Sequence, residues 1–315
     1  MAAKRLLAFT TGLVAGAAVA VKYASRPRDV RWLDYAHLLP HARTSQFRVV
    51  NGVRLHLQEK NRSAKETIVL IHGYCSSSYT WSKCLDLIAE AGYRVIAPDL
   101  KGFGYSEKPV DNRYRVEDQA DLIAGLLDAL EVREATLIGN SYGGAVAMVT
   151  ALRHPQRVRR LVLVNAAYDK TGLPPLPRTY LYYLLRGIVP ILMSRRLVKS
   201  VMSRLYYNRD VITDEHVDSY FRPLVSASCQ AAALATFRQW DLSLLEREMS
   251  QIRQPTLIIW GEEDHLLPVR NGAHIHLTIE GSEFIVIPEC GHVPQEERPQ
   301  DFVSLVVDFC KKELV

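Results

Sequence analysis

The chain has 315 residues, 48% hydrophobic and 23% charged, which is enough for one large domain with a buried core. Its formal net charge of +5 comes from scattered lysines and arginines, without the dense basic stripe or aromatic module of a nucleic-acid-binding protein. The five cysteines are odd in number and widely spaced, with no C-x-x-C pair, which favours packed or free thiols over a disulfide framework or a zinc site.

The first segment, residues 1–28, has the pattern of a membrane anchor or a signal peptide. An uncharged run at 6–21 is flanked on both sides by lysine and arginine. As a helix this run rises about 24 Å, slightly short of a hydrocarbon core. We predict a retained anchor and a membrane-associated protein. The alternative is cleavage near the small residues at 18–20 and a secreted or periplasmic product.

The globular part opens with a predicted β-hairpin. Asn51 and Gly52 form a strong two-residue turn signal between two strand-like runs. Apolar strand-like runs then alternate with helix-like runs, which predicts a parallel sheet with helices on both faces. The predicted strands after the hairpin are 67–71, 93–98, 135–139, 160–165, 256–261 and 283–288, and the predicted helices lie near 79–90, 116–130, 142–153, 269–279 and 299–312.

The alternation stops between Ala166 and Ser250, where no convincing strand pattern occurs. We predict a helical insertion at 167–250 in a core formed by 46–166 and 251–315. The first half of the insertion is rich in arginine, tyrosine and leucine. An amphipathic surface that faces lipid or an acyl chain, and an ordinary surface helix with solvated cations, are both compatible with this composition.

The motif GNSYGG, residues 139–144, lies between a predicted strand and a predicted helix. A sharp strand-to-helix turn strains the residue at its apex and admits only small residues two positions away on each side, where Gly139 and Gly143 lie. Such a turn would hold the Ser141 hydroxyl clear of the sheet, at a helix N-terminus that favours negative charge. The N–H of Tyr142 would point toward a developing oxyanion. Ser141 is therefore the candidate nucleophile.

A serine hydroxyl needs a base to take its proton, and that base needs a carboxylate to orient it. Two later strands end in loops that supply both in the expected order, with Asp264 after TLIIWG and His292 after EFIVIP. His265 is a weaker rival base because it adjoins the proposed acid. His274 and His276 have no third ligand nearby, so no metal site is predicted.

Five motifs in chain order resemble the α/β-hydrolase superfamily over about residues 46–315. They are HG at 72–73, DLKGFGYSEKP, GNSYGG, WGEEDHLLP and CGHVPQEERP. The resemblance implies an α/β fold with a mostly parallel, eight-stranded-type sheet and an inserted helical cap.

By the same resemblance, Ser141 is the nucleophile, His292 the base and Asp264 the acid. The main-chain amides of Tyr74 and Tyr142 are the implied oxyanion hole. This mechanism needs no metal or organic cofactor, and none is expected.

The nature of the substrate is less constrained than the nucleophile. A serine at the elbow argues against the superfamily's haloalkane dehalogenases and epoxide hydrolases, which use aspartate there. The predicted anchor and the basic, apolar insertion favour a lipophilic carboxylic ester, cleaved through an acyl-enzyme as in esterases and lipases. The alternatives are a carbon-carbon bond hydrolase of a vinylogous diketone and a non-catalytic ligand-binding protein on the same fold.

Overall fold

A computed structural model describes residues 27–169, 185–186 and 188–313. Its strands form one eight-stranded sheet in the order β1-β2-β4-β3-β5-β6-β7-β8. Strand β2 pairs antiparallel with β1 and β4, and every other pairing is parallel, so the predicted mostly parallel α/β sheet is confirmed. The strands are β1 (Ser45–Val50), β2 (Val53–Lys60), β3 (Thr67–Ile71), β4 (Arg94–Pro98), β5 (Ala135–Asn140), β6 (Val158–Val164), β7 (Thr256–Gly261) and β8 (Glu283–Ile287).

The helices lie close to the predicted positions. Residues Ser78–Trp81 form a 3-10 turn before the first long helix, and a short helix that the sequence did not indicate begins at Pro294. The helices are α1 (Trp32–Tyr35), α2 (Ser82–Glu90), α3 (Val116–Ala129), α4 (Tyr142–Arg153), α5 (Arg195–Leu205), α6 (Asp214–Leu224), α7 (Ala227–Arg238), α8 (Ser243–Glu248), α9 (Val269–Thr278), α10 (Pro294–Glu297) and α11 (Pro299–Lys311).

Strand β3 shows why the sequences of the central strands are continuous apolar runs. Successive side chains of a strand point to opposite faces of the sheet. Val69 and Ile71 join the core cluster that contains α3 and α4, whereas Ile68 and Leu70 join the cluster that contains α2 and α11. Because helices cover both faces, neither set of side chains reaches water.

The predicted hairpin is present at the antiparallel end of the sheet. Asn51 and Gly52 join β1 to β2 with φ values of 50° and 80°. Positive φ at both central residues matches the turn type whose twist suits a two-residue hairpin.

The described residues between β6 and β7, 188–251, contain helices α5 to α8 and no strand, and we call them the cap. Part of the cap forms a small core of its own, which includes Val198, Met202 and Val217. Val293, from the loop after β8, belongs to that core, so the cap packs directly on this loop. The division of the chain into 46–166, 251–315 and 167–250 stays a prediction.

The predicted anchor or signal at 6–21 lies outside the described residues. Among the helices that the structure describes, none is both long enough and apolar enough to span a bilayer. Membrane attachment therefore stays a prediction.

Candidate active site

Ser141 lies at the turn between β5 and α4 in a strained backbone conformation, with φ 55° and ψ −119°. Its amide donates to the Val164 carbonyl over 3.0 Å, and its carbonyl accepts from the Gly144 amide over 3.0 Å. A Cβ atom at Gly139 would lie 2.2 Å from the Gly143 carbonyl oxygen, and one at Gly143 would lie 2.2 Å from the Ile71 carbonyl oxygen. The two glycines therefore let the chain pack closely enough to hold the turn.

Replacing Gly143 with alanine is expected to lower the free energy of unfolding by about 3 kcal/mol or more, because the added methyl meets main-chain atoms that cannot move aside. Gly281→Ala is the matched control: Gly281 has φ 71° and nothing within 4 Å of its added Cβ. It is expected to cost about 1 to 2 kcal/mol from backbone strain alone. Urea unfolding measures both, and equal costs would contradict the steric argument.

Asp264 lies in the loop after β7 and His292 in the loop after β8. Their side chains are hydrogen-bonded to each other. Asp264 Oδ2 accepts from His292 Nδ1 over 2.7 Å and from Asn165 Nδ2 over 2.7 Å. Asp264 Oδ1 accepts from the amides of Leu266 and Leu267 over 2.8 and 2.9 Å. The carboxylate is thus held by four donors and has one orientation relative to the imidazole.

The charge of this pair follows from its surroundings. Burial by itself raises the pKa of Asp264, but His292 and the hydrogen bonds to the carboxylate outweigh it and hold that pKa below its ordinary value. Asp264 therefore stays ionised until the pH falls through its lowered pKa. Because Nδ1 of His292 donates to the carboxylate, Nε2 of the neutral ring carries the free lone pair. A ring in this state can accept a proton.

Two asparagines that the sequence analysis did not assign support this geometry. Asn165 follows β6 and has φ 44°. Its side-chain nitrogen donates to Asp264, and its side-chain oxygen accepts from the main-chain amide of Gly261. Asn140, directly before Ser141, donates to the main-chain carbonyls of Val164 and His292 over 3.1 Å each. The sequence does contain a signal for Asn165. It is an asparagine directly after an apolar strand, and asparagine tolerates positive φ.

The predicted oxyanion donors are held by aromatic contacts with the cap. Within the described residues, neither the Tyr74 amide nor the Tyr142 amide donates to another protein group. The Tyr74 ring lies 5.5 Å and the Tyr142 ring 4.8 Å from the ring of Trp240. The Tyr74 hydroxyl also donates to the carbonyl of Ala233 over 2.8 Å. Both amides are therefore available to a ligand, on residues whose side chains contact the cap.

A cavity of about 810 Å³ brings Ser141 and His292 together with the cap. Its lining is mostly apolar and includes side chains from α5, such as Val198 and Met202. The charged side chains among the described lining residues are Arg204 and Arg209, and no carboxylate is among them.

In the part of the chain that the structure describes, the side chains of the other histidines considered from the sequence are not hydrogen-bonded to Asp264. His265 lines the cavity but is exposed, whereas the Asp264 carboxylate is bonded to His292, so the geometry favours His292 as the base. His274 stacks on Tyr168, and His276 bonds Ser282. Among the described residues there is no group of three side chains suited to a metal ion.

The fold agrees with the comparison to known families. A model of the α/β hydrolase fold matches residues 66–299. The chain belongs to the α/β-hydrolase fold family.

The hydrolase is 31% identical to the 2-hydroxy-6-oxo-2,4-heptadienoate hydrolase of Pseudomonas putida over 285 residues, which is 87% of this chain and 98% of the relative. It is also similar to the crystal structure of a meta-cleavage product hydrolase, CumD, with a TM-score of 0.73 and 27% identity over 86% of this chain and 99% of that one. A crystal structure of a bacterial membrane phospholipase A has a TM-score of 0.70 and 26% identity over 98% of both chains.

The predicted esterase or lipase activity is wrong. Curated relatives are named 2-hydroxy-6-oxo-2,4-heptadienoate hydrolase and 2-hydroxymuconate semialdehyde hydrolase, and the solved structure with the higher of the two TM-scores above is named a meta-cleavage product hydrolase. These names favour the alternative, the carbon-carbon bond hydrolase. The elbow and the acid-base pair are compatible with both reactions, so the motifs alone did not separate them.

Proposed function

We propose that this hydrolase cleaves a carbon-carbon bond in a 2-hydroxy-6-oxo-2,4-dienoate, a vinylogous 1,5-diketone. The observation that carries the proposal is the 31% identity to a heptadienoate hydrolase over nearly all of that relative's length. The cavity supports it, because its apolar lining suits a conjugated chain, and Arg204 and Arg209 can offset the carboxylate of a dienoate.

The proposed reaction uses the keto tautomer of the substrate, in which C5 is a methylene group beside the C6 ketone. The Nε2 atom of His292 takes the Ser141 proton, and the serine oxygen attacks C6. The amides of Tyr74 and Tyr142 stabilise the oxyanion that forms. Asp264 holds the tautomer of His292 and stabilises the imidazolium.

Collapse of the tetrahedral intermediate breaks the C5–C6 bond. The electron pair passes from C5 through the C3–C4 double bond to the oxygen at C2, and the proton on His292 returns to the leaving fragment. The products of this step are a 2-hydroxydienoate and an acyl group on Ser141. Water, deprotonated by His292, then releases the acyl group as a carboxylic acid.

The proposal predicts that 2-hydroxy-6-oxo-2,4-heptadienoate is converted to 2-hydroxypenta-2,4-dienoate and acetate in equal amounts, with kcat/KM above about 10⁴ M⁻¹s⁻¹. The measurement is loss of the substrate's absorbance together with chromatography of both products. Analogues with phenyl or carboxyethyl groups at C6 test the acyl side.

A parallel panel of short-chain and long-chain acyl esters is the control for the bond that is broken. Turnover of esters with no cleavage of any dienoate in the panel would overturn the proposal. Binding of a dienoate without turnover by the wild-type protein would overturn it in favour of a ligand-binding role.

A further inference from the structure

Glu296 lies on α10, four residues after His292, and its buried carboxylate has four side-chain partners. Oε1 accepts from the hydroxyls of Thr80 and Tyr220, and Oε2 accepts from Tyr206 over 2.9 Å and faces His216 Nε2 at 2.6 Å. Thr80 also accepts from the Gln295 side chain, which leaves its hydroxyl hydrogen for Glu296. A carboxylate with this many donors is satisfied only in its charged form.

The partners of His216 determine its protonation state. Nδ1 lies 2.9 Å from the carbonyl oxygen of Val211, and Nε2 lies 2.6 Å from the Glu296 carboxylate. Both partners are acceptors, so both ring nitrogens donate and the ring is an imidazolium. Burial lowers the pKa of His216, but the hydrogen bond and charge of Glu296 outweigh it and raise that pKa above its ordinary value.

Other groups that face His216 do not replace Glu296 as its counter-ion. The rings of Tyr79, Tyr206 and Tyr220 surround it at centroid distances of 5.4 to 5.7 Å. Burial raises the pKa values of Tyr206 and Tyr220, so these two stay protonated donors. Lys83 is the nearby cation, and its charge lowers the pKa of His216.

This cluster joins two parts of the chain. Glu296 and Thr80 belong to the core, whereas Tyr206, His216 and Tyr220 belong to the cap. Main-chain amides near this cluster also join the cap to the loop after β8. The His292 amide donates to the Leu205 carbonyl over 2.7 Å. The Asn208 amide donates to Glu297 Oε2 over 2.9 Å.

We propose that Glu296 is a positioning residue that holds the cap against the loop of His292 through its ion pair with His216. Glu296→Gln would remove the counter-ion of the buried imidazolium and replace one of the two acceptor oxygens by an NH₂ donor, so we expect the cap segment 205–208 to detach from the loop. The reacting atoms would remain, but His292 would lose the Leu205 carbonyl that fixes its main chain. The inference rests on the proposed function only in taking Ser141 and His292 as the reacting pair.

The pH dependence of this contact has a definite sign. The pKa of His216 is raised in the folded protein, so the ion pair contributes fully below the ordinary histidine pKa. The contribution is lost as pH rises through the raised value. The cap is therefore held most tightly at mildly acidic pH.

The test compares Glu296→Gln with Glu289→Gln, which removes the same charge from an exposed residue of the loop that carries His292. We expect Glu296→Gln to lower the second-order rate of Ser141 labelling by a fluorophosphonate about tenfold or more, and to reduce hydrogen-exchange protection of 205–208 and 292. Glu289→Gln should change neither. Fluorophosphonate labelling needs no dienoate, so a wrong substrate assignment would leave this test intact.

His216→Gln and Tyr206→Phe keep the experiment decisive if Glu296→Gln does not fold. In the wild type, protection factors of 205–208 should fall as pH rises from 6 to 9, and this slope should disappear in His216→Gln. Tyr206→Phe removes one donor and should give a smaller loss than Glu296→Gln. Unchanged labelling and protection in these variants, or the same pH slope in His216→Gln, would overturn the proposal.

Discussion

Replacing Ser141 with alanine is expected to reduce dienoate cleavage by about 10⁴-fold or more and to abolish fluorophosphonate labelling. Alanine removes the proposed nucleophilic oxygen and leaves the predicted oxyanion amides and the cavity in place. The variant should fold, because Ser141 is held in the turn by its main-chain amide and carbonyl. Stopped-flow measurement of substrate loss and gel detection of the labelled protein give the two readouts.

The companion to this variant is Ser76→Ala, which removes a hydroxyl from another residue that lines the same cavity. It should keep cleavage within about threefold of wild type, since the Ser76 hydroxyl donates to the Ser77 carbonyl and, among the described residues, is not a hydrogen-bond partner of the Asp264 and His292 side chains. Labelling that persists in Ser141→Ala would place the nucleophile elsewhere. If Ser76→Ala also lost both cleavage and labelling, the loss in Ser141→Ala would reflect damage to the cavity rather than removal of the Ser141 hydroxyl.

Replacing Asp264 with asparagine is expected to lower kcat by about 10⁴-fold with a smaller change in KM. Asp264 accepts from His292 and Asn165 at one oxygen and from the amides of Leu266 and Leu267 at the other. An asparagine NH₂ group placed at either position meets donors instead of acceptors. The imidazole then loses the acceptor at Nδ1 that fixes its tautomer, or the loop loses its anchor.

Glu262→Gln is the matched control for this variant, because it neutralises an exposed carboxylate two residues earlier in the same loop. Its kcat should stay within about twofold of wild type. Steady-state kinetics of both variants, with circular dichroism to check folding, separate the two outcomes. A similar kcat in Asp264→Asn and wild type would remove Asp264 from the mechanism.

Local chemistry explains which parts of the site could be predicted from the sequence. The turn at Ser141 could be predicted because its glycines, its serine and the flanking strand and helix all lie within a short stretch of chain. Asp264 and His292 are far apart in sequence but follow successive strands of a parallel sheet, so strand order alone brings them to one edge. The order serine, acid, histidine was expected from the elbow motif.

The contacts between cap and core could not be predicted in this way. Glu296 meets His216 across 80 positions and Thr80 across 216, and no periodic pattern links them. The sequence around His216 does not show its partners, because they lie on other elements. Only the packing of the cap on the loop after β8 brings these groups into contact.

The substrate class was predicted wrongly for a different reason. The composition of the N-terminal run and of the insertion favoured a lipophilic ester, but composition does not specify which bond reaches Ser141. Ester and carbon-carbon cleavage share the nucleophile, the base and the oxyanion donors, so their motifs coincide. The distinction depends on how the cavity stabilises the leaving carbon fragment.

The attachment of the cap at both sides of the proposed catalytic residues bears on how α/β hydrolases of this kind can be recombined. Trp240 contacts the two tyrosines whose amides are the predicted oxyanion donors, and the Leu205 carbonyl accepts from the amide of His292. A cap transplanted from a relative would have to bring matching groups for Tyr74, Thr80 and Glu296, all of which belong to the recipient core. Chimeras that exchange these core positions together with the cap should therefore retain turnover far more often than chimeras that exchange the cap alone.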